Sequence, residues 1–184
     1  IDYKYDSANI FCEGLAAVKE DGKWGYINKK GDMVIDNDFV EAYGFSNGLA
    51  AVAKEEGKWG YINKKGEFKI KAEYDWAYSF NEDGYAHVSK KGEEGVINTK
   101  GKVVVDTDYD DVGTLTEGLY RVQKNDEYGF VNEKGKEVID TDYDYAGYFT
   151  EDGLAVIRDG DEYGYINKKG KVVIKADFDD AEGF

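Results

Sequence analysis

The chain alternates short apolar runs with brief polar breaks built from Gly, Asn, Asp and Lys. The runs are five to seven residues long, which is strand length and too short for an ordinary helix. Gly14-Leu15-Ala16-Ala17-Val18 is one such run, Trp24-Gly25-Tyr26-Ile27-Asn28 a second and Val103-Val104-Val105 a third kind. The break Asn28-Lys29-Lys30-Gly31 has the composition of a hairpin loop, with Gly31 at a left-handed position. Lys19-Glu20-Asp21-Gly22-Lys23 supplies a second hairpin connection. The three runs therefore predict a three-stranded antiparallel meander. The segment Tyr-Asp-x-Ala-x-x-Phe, as at 143–149, is expected to join one meander to the next as a turn of helix.

The pattern repeats. Glycines at 25, 60, 95, 129 and 164 step by 35, 35, 34 and 35 residues. Each lies in a near-identical phrase, with Trp24, Trp59, Tyr128 and Tyr163 before it and Tyr26, Tyr61, Phe130 and Tyr165 after it. The third copy is weaker and carries Glu94 in the Trp place. The position of Ile27 is Ile62, Ile97, Val131 and Ile166 in the other copies, as a buried face requires. Gly25 and its equivalents are expected to admit another backbone or ring at close range. A three-stranded sheet cannot bury two apolar faces alone, so neighbouring repeats are expected to stack.

This organisation predicts a single all-β repeat domain over 1–184. Its repeats run at about 12–45, 46–80, 81–115, 116–149 and 150–184, with 1–11 a partial N-terminal linker. Linker phrases stand at both ends, Tyr5 to Phe11 and Phe178 to Phe184, giving six linkers for five meanders. The surplus favours an open, solenoid-like spiral, with a five-bladed β-propeller as the alternative. In an open array the end repeats should tolerate truncation better, since fewer repeats flank them.

Phrases such as Lys23-Trp24-Gly25-Tyr26-Ile27-Asn28-Lys29-Lys30-Gly31 and Asp142-Tyr143-Asp144-Tyr145-Ala146-Gly147-Tyr148-Phe149 resemble the WG (KWG) repeat of bacterial proteins, over essentially the whole chain. Glu94 departs from that pattern. So do Asp36, Lys71, Asp106, Asp140 and Lys175, where the family often has Pro. The resemblance implies a bacterial repeat protein of the envelope or the secreted fraction and supplies no mechanism.

Composition narrows the function classes. A net charge of −15 disfavours nucleic acid and anionic membranes as partners. Aromatics at 15% do not fit a disordered acidic chain and do fit β-structure. Cys12 is the only cysteine, which excludes an internal disulfide and leaves the compartment open. No apolar run approaches the roughly 20 residues of a membrane-spanning helix. The chain opens on Ile1, which reads as a mature product or a piece of something longer, so the lack of a signal segment decides nothing.

Candidate chemistry centres on Trp24, Tyr26, Trp59, Tyr61, Tyr128, Phe130, Tyr163 and Tyr165. These rings are either a stripe of platforms for a peptide or sugar or the core between repeats. The phrases from Asp106 to Asp110 and Asp140 to Asp144 are like the first half of a calcium loop, with Glu117 and Glu151 at the twelfth place. The turning Gly is replaced by Asp111 or Tyr145, so they are expected to be solvated acidic turns. His87, Ser89, Glu93 and Cys12 form no nucleophile pattern, and neither a metal cluster nor a cofactor motif is present. The Lys29-Lys30, Lys64-Lys65, Lys134 and Lys168-Lys169 turns predict a basic stripe beside a broader acidic one, open to self-association. Together these features predict a non-enzymatic scaffold that binds a protein or glycan, extracellular or in the cell envelope, with a cytoplasmic site still open. A structural spacer or self-assembly module is the alternative.

Overall fold

A computed structural model describes residues 5–178, with side chains to position 175. Among the described residues every regular element is a strand. The first sheet comprises β1 (Ser7–Ala8), β2 (Leu15–Glu20), β3 (Lys23–Asn28) and β4 (Met33–Phe39). The second comprises β5 (Glu41–Ala42), β6 (Leu49–Ala53), β7 (Trp59–Asn63) and β8 (Phe68–Tyr74). The third holds β9 (Trp76–Ala77), β10 (Tyr85–Lys90), β11 (Glu93–Asn98) and β12 (Val103–Tyr109). The fourth holds β13 (Asp111–Thr116), β14 (Leu119–Lys124), β15 (Glu127–Asn132) and β16 (Glu137–Tyr143). The fifth holds β17 (Tyr145–Ala146), β18 (Leu154–Asp159), β19 (Glu162–Asn167) and β20 (Val172–Phe178). Strand order follows chain order in every sheet.

The linker differs from the expectation. It is extended, and it adds a fourth strand to the predicted three. Glu41 pairs with Ala53 and Ala42 with Val52, and the flanking amides of Val40 and Tyr43 donate to the carbonyls of Ala53 and Ala51. Ala42 and Phe45 both enter the core, and that three-residue spacing is what imitates a helical turn. The N-terminal linker supplies β1 to the first sheet in the same way. The C-terminal linker, from 179 onward, lies outside the described residues.

Local chemistry sets the hairpins. The turns Glu13-Gly14 and Asp21-Gly22 have positive φ at both residues, the condition for a two-residue loop that matches strand twist. Between β3 and β4 the Asn28 side chain accepts from the amides of Lys30 (2.8 Å) and Asp32 (3.1 Å). Asn63, Asn98, Asn132 and Asn167 repeat both bonds. These bonds add to the turn's own backbone pair, Gly31 to Asn28 and Asn28 to Asp32, which explains why Asn recurs at this position. Gly25 and Gly60 sit where the next strand bulges. A Cβ at Gly60 would lie 2.7 Å from the Ala72 nitrogen and the Ile70 oxygen.

The chain divides into two compact units, 1–92 with 96–103, and 93–95 with 104–184. Within the first, successive sheets pack face to face. One core takes Leu15, Ala17, Tyr26, Ile35 and Phe39 from the first sheet against Ala50, Val52 and Ile62 from the second, with Ala42 and Phe45 between. The next repeats this plan with Leu49, Ala51, Tyr61, Ile70 and Tyr74 against Ala86, Val88 and Ile97. In the second unit Leu119, Phe130 and Ile139 face Ala155, Ile157 and Ile166. Both faces of the two middle strands are thus covered, so runs such as Leu-Ala-Ala-Val are continuously apolar instead of alternating.

Candidate functional site

The predicted aromatic positions divide by depth. Tyr26 and Tyr61 are 0% exposed, and Phe130 is also buried. The Tyr26 and Tyr61 hydroxyls donate to the carbonyls of Tyr43 and Tyr78, each at 2.7 Å. Burial pushes both phenols well above the ordinary tyrosine range. Their rings meet Phe45 (4.9 Å) and Phe80 (4.6 Å), and Phe130 meets Phe149 (4.7 Å). These three rings therefore anchor each linker to the sheet before it and have no surface to offer a ligand. Trp24, Tyr128, Tyr163 and Tyr165 are half-buried. Trp24 keeps a buried indole nitrogen without a partner.

Trp59 belongs to a four-ring cluster in the first unit. Tyr43 stacks on it at 5.2 Å and 23°, and Trp76 leans on it at 4.8 Å and 51°. Trp76 is nearly perpendicular to Tyr43 (73°) and to Tyr78 (69°). Trp59 is 3% exposed, whereas Trp76 is 40% and Tyr78 55% exposed. Tyr43 is half-buried, and its phenol is raised by burial, then by Tyr78 and Glu41. Trp76 and Tyr78 come from the linker, where the other linkers carry Ser7, Glu41, Asp111, Tyr145 or Asp180 at the Trp place. Repeat-averaged reasoning passes over them. The available signal was the single linker with a Trp-x-Tyr pair.

The second unit builds a related cluster around its own cation. Arg121 lies over Tyr148 (4.4 Å) and Tyr128 (5.2 Å), pairs with Asp111 (3.4 Å) and donates to the Ala146 carbonyl (3.3 Å). Glu94, in the Trp place of the third repeat, accepts from the Val112 amide at 3.2 Å, so there a carboxylate ties down the following linker.

The other candidates are structural in their contacts. Asp106 and Asp108 stand on extended β12, and Asp140 and Asp142 on β16. Asp108 pairs with Lys124 at 2.9 Å. Asp75, Asp110 and Asp144 accept from the turn amides of Gly92, Asn125 and Gly160, which accounts for the Asp after the linker aromatics Tyr74, Tyr109 and Tyr143. Glu117 and Glu151 line an open hollow with Thr116, Phe149, Thr150 and Asp152, and Glu117 is held by Lys168 at 2.6 Å. Among the described residues no group of three or more His, Cys, Asp or Glu is placed to hold a metal. His87 is half-buried on β10. Cys12 is a free, half-buried thiol packed on Gly44. In the lysine turns, Lys64 pairs with Glu13 at 3.1 Å as Lys168 does with Glu117, so the basic stripe is partly neutralised by the turn of an earlier repeat.

Five tandem antiparallel sheets, each closed by the linker before it, define a β-repeat protein, a class suited to binding or scaffolding. The chain belongs to the family described as WG containing repeat, whose model matches residues 1–24, 24–59, 59–93, 95–128, 128–163 and 163–184. Between 93 and 95 the matched segments omit only Glu94. No curated protein matches the chain. Among solved structures, BamB from Moraxella catarrhalis is similar at 13% identity, over 94% of this chain and 64% of that one, with a TM-score of 0.44. Hsv2p from Kluyveromyces lactis is similar at 9% identity, over 91% and 61%, with a TM-score of 0.45. The chain spans less than two thirds of the length of either. No helix among the described residues is long and apolar enough to cross a membrane.

Proposed function

We propose that this chain is a non-enzymatic repeat scaffold that binds a protein or glycan partner at a bacterial surface or in the secreted fraction. The observation that carries this reading is the cluster of Tyr43, Trp59, Trp76 and Tyr78, which brings two large rings to the surface over a buried floor. Exposing a Trp and a Tyr side by side forfeits burial that the core repeats obtain elsewhere, and such rings are the preferred anchors of binding sites. Cys12 packs against Gly44, and His87 lies half-buried on β10 with contacts of its own.

A structural spacer is the second reading. Bonds between successive turns favour it: Ser46 donates to the Phe80 carbonyl and Asn47 to the Asn81 carbonyl, each at 2.7 Å. The two readings separate by affinity capture and a glycan array run with the parent chain and Trp76→Ala. Retention that is lost with Trp76 supports the binding scaffold. A ligand held equally by both proteins moves the binding site away from the cluster, and no ligand at all supports the spacer.

A further inference from the structure

The four-ring cluster has a geometry that selects among ligands. Sugars stack on one flat face. Here Trp76 stands edge to face at 73° to Tyr43 and at 69° to Tyr78, so the rings make a corner and no flat plane. A ring face left open at such a corner presents its negative π-surface, which attracts a cation. Glu41 stands on β5, two residues before Tyr43, and acts electrostatically on the Tyr43 hydroxyl. The chain as a whole carries −15.

The same molecule already uses equivalent rings in this way. In the first sheet Lys19 faces Trp24 across the β2–β3 pair and sets its ammonium 5.7 Å from the ring centre. In the fourth sheet Arg121 lies on Tyr128, the counterpart of Trp59, and on Tyr148, and an acid, Asp111, balances it. In the second sheet the residue facing Trp59 is Ala53, which brings no charge. Rings, corner and neighbouring acid are present there, and the facing residue of the strand pair supplies no cation.

We propose that the corner formed by Tyr43, Trp59, Trp76 and Tyr78 docks an arginine side chain presented by a basic, extended segment of a partner protein. The guanidinium lies against Trp76 and Tyr78, the two exposed rings, as Arg121 lies across a pair of tyrosines. Glu41 takes the part that Asp111 plays for Arg121. This rests on the binding-scaffold reading and names the chemistry of its partner.

The test is a titration of the intact chain with an arginine-containing Gly-Ser peptide, followed through the indole N–H resonances. A citrulline-matched peptide and a neutral β-linked oligosaccharide serve as parallel probes. The expected result is a saturable shift centred on Trp76 with the arginine peptide alone. Affinity should fall by about tenfold or more in Trp76→Ala and by several-fold in Glu41→Gln, the size of one lost cation–π or charge contact. Tyr78→Ala, at a more exposed ring, repeats the test should Trp76→Ala fold poorly. Equal binding of the citrulline peptide, or equal binding to parent and variants, overturns the proposal. If the oligosaccharide shifts Trp76 and the arginine peptide does not, the arginine assignment falls and the binding scaffold stands. If none of the probes binds and affinity capture is also blank, both fall.

Discussion

Ile62→Ala probes the packing that holds the repeats together. Ile62 is 0% exposed and belongs to the core between the first two sheets, among Tyr26, Ile35, Phe39, Phe45 and Val52. Truncation removes three carbons, worth roughly 2–3 kcal/mol in transfer alone at about 0.8 kcal/mol each. A cavity adds to this unless neighbours move in. Tyr26 is tethered through its hydroxyl to Tyr43, and its ring is fixed against Phe45, so collapse is resisted. The expected loss is therefore in the upper part of the usual range, about 3–5 kcal/mol. Urea denaturation of variant and parent measures it as a lower midpoint at unchanged slope. Val34→Ala, on an exposed position of β4, is the control and should cost less than about 0.5 kcal/mol. A loss below about 1 kcal/mol at Ile62 would refute the face-to-face packing.

Gly60→Ala should cost about 1–3 kcal/mol by overpacking, because its Cβ would meet backbone atoms of β8 that a side-chain rotation cannot clear; wild-type stability in that variant would deny the close approach. Glu13 has its carboxyl held below the usual range: burial raises it, but the ion pair with Lys64 and the bond from the Gly48 amide outweigh that effect. Its contribution is present above the unfolded value near about 4.3 and is lost as pH falls through the lower folded value. The stability gap between parent and Glu13→Gln should therefore be at most about 1 kcal/mol at neutral pH and shrink below about pH 4; a constant gap counts against it. Glu137 has the opposite sign, its carboxyl raised by burial and by Asp140 and Asp142. Glu137→Gln should stabilise by roughly a few tenths of a kcal/mol at neutral pH, with the gain vanishing in acid; urea midpoints at two pH values read this directly.

Much of this was legible from periodicity. The Asn hairpins, the buried Ile face and the close approach at the repeated Gly follow from what one strand position must do in every copy. The linker was misread because Ala42 and Phe45 recur at a spacing a helical turn shares, and only pairing with Ala53 and Val52 reveals the strand. The last repeat was expected to tolerate truncation better, and Ile166 bears on that expectation. Its face is covered by the fourth sheet, it is fully buried, and Ile166→Ala should cost as much as Ile62→Ala. The candidate site was the least legible part. It arises where repeats differ, at Trp76, Tyr78 and Ala53, and a period-based reading averages those positions away.

The exposed corner over a buried floor is most directly tested by fluorescence quenching. The chain has three tryptophans, so variants that keep one each and replace the others with Phe isolate Trp24, Trp59 and Trp76. Acrylamide should quench Trp76 strongly, Trp24 to an intermediate degree and Trp59 hardly at all, in keeping with 40% exposure, half-burial and 3%. Trp59 quenched as readily as Trp76, in a variant that keeps the parent's denaturation midpoint, would contradict the layered cluster on which the proposed binding role stands.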